Sequence, residues 1–171
     1  MSLQEQNRLA NARLQKFFVL AVVVFVVVLF ITSLDVIQAK IRDQKRKADL
    51  RQISLALQLY FDNYQKFPQV EDDDWSGWDL SFELGGSQQL FLSRLSQVGY
   101  IDHVPVDPLN NINYLYRYSY YPAGSFGCSK AFFLLQALNF ESSEKKHGSG
   151  SCPEFNFVDL ASNGYTIQVF E

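Results

Sequence analysis

The chain has 171 residues, 47% of them hydrophobic and 19% charged, with two cysteines and a formal net charge of −3. The charge is unevenly spread: residues 1–65 carry nine Lys/Arg against five Asp/Glu (net +4), and residues 66–171 carry six against thirteen (net −7). An acidic C-terminal region without a basic, aromatic-interleaved patch repels phosphate backbones and argues against a nucleic-acid partner. Its length allows one soluble domain of about 100 residues.

Residues 1–16 are expected to form a short, frayed, polar and mildly basic cytoplasmic tail containing Arg8, Arg13 and Lys16. No Gly or Pro occurs from Met1 to Phe67, so nothing local ends a helix that starts there. Phe17–Leu34 (FFVLAVVVFVVVLFITSL) is uncharged and dominated by Val, Phe and Leu. As a helix, its 18 residues reach about 27 Å, enough to cross a bilayer, where backbone groups must bond internally. The basic flank also suits a secretory signal peptide, but the exit TSLDVIQAK holds no small-x-small cleavage site, so a retained anchor is expected, taken as residues 17–37. Lys40, Arg42, Lys45, Arg46, Lys47 and Arg51 follow the span, and by charge alone they favour a cytoplasmic C-terminal domain.

Gln38–Lys47 is expected to be solvent-exposed helix, and residues 38–67 the outer half of one long helix. Within it Leu50, Ile53, Leu57, Tyr60, Phe61 and Tyr64 recur at helical spacing and predict the stripe that packs on a sheet. Leu55 and Leu59 fall beside or opposite that stripe, which leaves two readings open: a wide core face, or a second face that meets a neighbouring subunit. Pro68 is expected to end the helix.

Residues 68–171 are read as the globular region. QVEDDDWSGWD, residues 69–79, is a polar, turn-rich connection; Asp72, Asp73 and Asp74 read as a solvated acidic loop, since a hard cation needs six to eight oxygens and adjacent carboxylates cannot all converge on one ion. Trp75 and Trp78 suit either an exposed contact patch or cover for the core. Gly85-Gly86 reads as a turn, and Ser87–Val98 as a short helix stopped by Gly99. After HVPVDPLNN come three predicted strands: Asn113–Tyr121, Ala131–Asn139 and Tyr165–Phe170. In the first, Tyr114, Tyr116, Tyr118 and Tyr120 share one face, and Leu115, Arg117 and Ser119 the other. Ser142–Ser151 is expected to be a flexible polar loop. Cys128 and Cys152 lie outside any metal or redox spacing and predict a disulfide, hence an oxidising compartment and an extracytoplasmic domain. His103 and His147 sit in no catalytic pattern and read as solvated. No catalytic residues, metal, cofactor or small-molecule substrate are expected.

Taken together, KADLRQISLALQLYFDNYQKFP, GYIDHVPVDPLNN and NYLYRYSYY resemble the type IV pilin superfamily, with most similarity to the major pseudopilin of type II secretion systems. The resemblance covers about residues 17–121. It implies an α+β pilin-like fold, with a long N-terminal transmembrane and amphipathic helix packed on a small antiparallel sheet. Phe67-Pro68 matches the family's aromatic–proline pair, and Pro105, Asp107 and Pro108 match its turn before the first strand. By the same resemblance the chain is a non-enzymatic subunit anchored in the inner (cytoplasmic) membrane. It bundles with other pilin-like subunits through Phe17, Phe18, Leu20, Val24, Phe25, Val28, Leu29 and Ile31. Two positions depart from the family: with Phe17 as the first mature residue, Lys16 replaces the leader glycine and Ala21 the fifth-position glutamate. The alternative is a non-assembling, single-pass binding domain that uses Trp75, Trp78 and the acidic loop.

Overall fold

The computed structural model describes residues 3–70, 77–82, 91–142 and 145–171, with side chains described from Gln15 onward except at 31–33. Asp72, Asp73, Asp74, Trp75 and Gly85-Gly86 lie outside the described residues, as do the start of the predicted short helix and the side chain of Ile31. The chain divides into two compact units, Met1–Ala39 and Lys40–Glu171.

One α-helix, α1, covers Leu3–Tyr64, uninterrupted through Gln38–Lys47 as the absence of Gly and Pro requires. In the first unit the apolar side chains of residues 17–30 are exposed, Phe17 at 71% and Phe25 at 63%. Among the described residues this is the one helix long and apolar enough to cross a membrane. The helix stops at Tyr64, ahead of Pro68. Gln65 takes a left-handed conformation (φ 53°) and its N–H bonds back to the Phe61 carbonyl at 2.7 Å. The helical segment expected to reach residue 67 therefore ends three residues earlier, because a left-handed cap closes it before proline sterics act.

The second unit holds a five-stranded sheet in the order β1–β2–β3–β7–β4, with strands β1 (Asp79–Leu80), β2 (Tyr116–Tyr121), β3 (Phe132–Ala137), β4 (His147–Ser149) and β7 (Tyr165–Phe170). A separate ribbon pairs β5 (Ser151–Cys152) with β6 (Phe155–Asn156). A short helix α2 covers only Ser93–Gln97, and Gly99 follows it at φ 80°.

The sheet is mixed: β1, β2, β3 and β7 run antiparallel, while β4 lies parallel to β7. This corrects the antiparallel expectation and places a strand where a flexible loop was predicted. β4 reads as a loop in sequence because it pairs through backbone alone. A Cβ on Gly148 would fall 1.9 Å from the Thr166 carbonyl, so only glycine fits there.

Register sorts the side chains into two faces. Tyr116, Ala137 and Tyr165 form one row, Tyr118, Leu135 and Ile167 a second, and Tyr120, Phe133 and Val169 a third; all three rows join the cluster containing Leu50, Ile53 and Leu57 of α1. The opposite face carries Arg117, Gln136 and Thr166 at one end and Tyr121, Phe132 and Phe170 at the other. β3, buried along its whole length, has apolar residues on both faces and hence no polar alternation in sequence. The result is an α+β fold.

Candidate functional site

Along α1 the buried row begins before Leu50. Asp43 and Arg46 precede Leu50, Ile53, Leu57 and Tyr60 at three- and four-residue steps and are as buried as they are, with Arg46 at 0% exposure. The expectation that Gln38–Lys47 is solvated helix is thus corrected: its inner face is internal and charged. Burial of a guanidinium is tolerable only when every N–H finds an acceptor. Nε and Nη2 of Arg46 donate to the two oxygens of Asp107 at 2.7 and 3.0 Å. Its Nη1 donates to Asp43 at 2.7 Å and to Glu141 at 2.8 Å. Its Cζ lies 4.9 Å from the Tyr114 ring centroid.

Arg42 makes a two-pronged contact with Glu141, at 2.8 and 2.6 Å. Lys45 meets both oxygens of Asp49 at 3.0 Å, and the buried Tyr116 hydroxyl donates to Asp49 at 2.9 Å. Burial pushes the Asp43 carboxyl up, but the Ser142 hydroxyl, the backbone N–H groups of Glu141 and Ser142, and Arg46 outweigh it and hold it below its usual range. The Arg42 hydrogen bond leads in lowering Glu141, with burial opposing and Arg46 reinforcing. For Tyr116, burial and then the Asp49 charge raise the phenol well above its ordinary value.

The turn residue Asp107 is therefore an electrostatic partner of the helix as well as a turn former; it also accepts the Leu109 N–H at 2.9 Å. Pro105 and Pro108 beside it are half-buried. Phe67 is buried, edge-on to Phe133 at 4.8 Å, and the Pro68 carbonyl accepts the Tyr118 hydroxyl at 2.6 Å. Of the predicted stripe, Leu50, Ile53, Leu57 and Tyr60 are buried and Phe61 is partly so. Tyr64 is 46% exposed, stacked on Tyr60 at the end of the helix, where the sheet no longer covers it. Leu55 (62%), Leu59 (48%) and Ile41 (62%) lie on an uncovered face of α1, which removes the wide-core reading.

Cys128 and Cys152 form a disulfide beside Phe132, Leu134 and Phe157. Trp78 is half-buried against this second cluster with the Arg117 guanidinium 4.3 Å above its ring. His103 is exposed, whereas His147, expected to be solvated, is half-buried in β4 and stacks on Phe140 at 5.7 Å. No group of metal-binding side chains occurs among the described residues. Sequence reasoning missed the Arg46 cluster; the signal was the continuation of the apolar stripe's spacing through Asp43 and Arg46.

No protein-family model matches the chain, and neither the curated proteins nor the solved structures provide a match.

Proposed function

We propose that the chain is a membrane-anchored, pilin-like structural subunit of a type II secretion or type IV pilus-like assembly. One observation carries the reading: a single helix contains both an uncharged 18-residue apolar stretch, exposed at residues 17–30 and 34, and, further along, the row Leu50, Ile53 and Leu57 buried against a sheet. The role is non-enzymatic. Phe17, Phe18, Leu20, Val24, Phe25, Val28, Leu29 and Ile31 bundle with equivalent helices of neighbouring subunits, and Leu55 and Leu59 extend that contact outside the lipid. The disulfide supports an extracytoplasmic domain, anchored at the inner membrane.

Ala21 at the position where pilins carry glutamate favours a second reading, a static anchored domain that binds an extracytoplasmic ligand without assembling. Paired cysteines introduced along residues 17–34, crosslinked in native membranes, separate the two. The first reading expects a ladder of multimers, and crosslinked species no larger than monomer would overturn it.

A further inference from the structure

We propose that Asp43 and Glu141 form an acid-labile clasp that fastens Glu141–Ser142, the chain leaving β3, to α1. Asp43 accepts four donors at once: the Glu141 N–H at 2.9 Å, the Ser142 N–H at 2.8 Å, the Ser142 hydroxyl at 2.6 Å and Arg46 Nη1 at 2.7 Å. A proton added to that carboxyl faces three N–H donors that cannot accept it, and the Ser142 oxygen takes it only by giving up its own donation to Asp43. Glu141 takes Arg42 and Arg46 through both oxygens, so its protonation breaks the charge pairing of the same short segment.

The titratable and charged groups facing the clasp come from every element around it. Arg42, Lys45, Arg46 and Asp49 belong to α1; Asp107 comes from the Pro105–Pro108 turn, and Tyr114 and Tyr116 from the chain entering and beginning β2. Lys47 lies 5.3 Å above the ring of Phe140, beside His147. Two features confine the release to Glu141–Ser142. Phe140 is fixed in the apolar core, its N–H and carbonyl held by Asn163. Strands β2, β3 and β7 are joined by backbone ladders that do not titrate in acid.

The sign follows from the carboxylates. Both are held below their usual range, so their contribution is present above about pH 4 and is lost as pH falls through the lowered values.

Amide hydrogen exchange on the full chain in detergent micelles, compared at about pH 6 and about pH 3 after correction for intrinsic rates, reads the clasp directly. The expected result is at least about tenfold faster exchange at Glu141 and Ser142, with Leu134 and Leu135 still protected. Unchanged protection at Glu141 and Ser142, or simultaneous loss in β3, overturns the proposal. Asp43→Asn should reproduce the acid pattern at about pH 6. Slow exchange of both amides in a folded Asp43→Asn protein would also overturn it, and if that variant does not fold, the pH comparison alone decides.

Discussion

The two faces of the sheet are held by different means. Toward α1, sixteen buried apolar residues form a continuous core, bordered by the Arg46 cluster and crossed by no covalent link. On the opposite face, among the described residues, five make up the buried cluster, and two of them are the half-cystines of the disulfide. A face with ample apolar area can accommodate buried ions, because surrounding burial offsets their desolvation. A face with little apolar area depends on a crosslink that reduces the freedom of the unfolded chain. Its remaining centre is polar yet satisfied: Gln136, fully buried, accepts from Arg117 at 2.8 Å and donates to Thr166 and to the Phe157 carbonyl, both at 2.9 Å.

The sharpest break in this contrast is Arg46→Ala. It strands Asp43, Asp107 and Glu141 without their shared cation and is expected to cost about 3–5 kcal/mol in urea-induced unfolding. A loss below about 1 kcal/mol would show that the ions contribute little. Replacing both cysteines by serine comes next. The enclosed loop implies about 3.5 kcal/mol on the chain-entropy model, read as a drop in midpoint on thermal unfolding. Local amide exchange should increase most around Phe126, Phe155 and Phe157, while the α1 face is spared. Equal loosening of both faces would erase the distinction. The smallest effect is expected for Leu55→Ser, within about 0.5 kcal/mol in the isolated chain because the side chain is already 62% exposed. If Leu55 meets a neighbouring subunit, the same change should weaken crosslinking in membranes.

What could be read in advance depended on whether a signal was local. The unbroken α1, the β7 bounds and the core of β3 follow from breaker-free length, alternation and an apolar run. Leu50, Ile53 and Leu57 follow from helical spacing. β4 escaped notice because glycine and serine pair by backbone, leaving no side-chain pattern to detect. The charge cluster escaped because Arg46 finds Asp107 and Glu141 at separations of 61 and 95 residues, which no window of sequence brings together. Pro68 misplaced the helix end because a left-handed Gln65 closes α1 sooner.

Residues 40–51 hold six cations and two carboxylates, a formal +4, yet Asp107 and Glu141 fold onto them and reduce that to +2. At about 1 kcal/mol of attraction per basic side chain beside an anionic leaflet, such a surface would pull on this stretch roughly half as strongly after folding as before it. Folding therefore turns half of that net charge inward, toward the domain's own carboxylates.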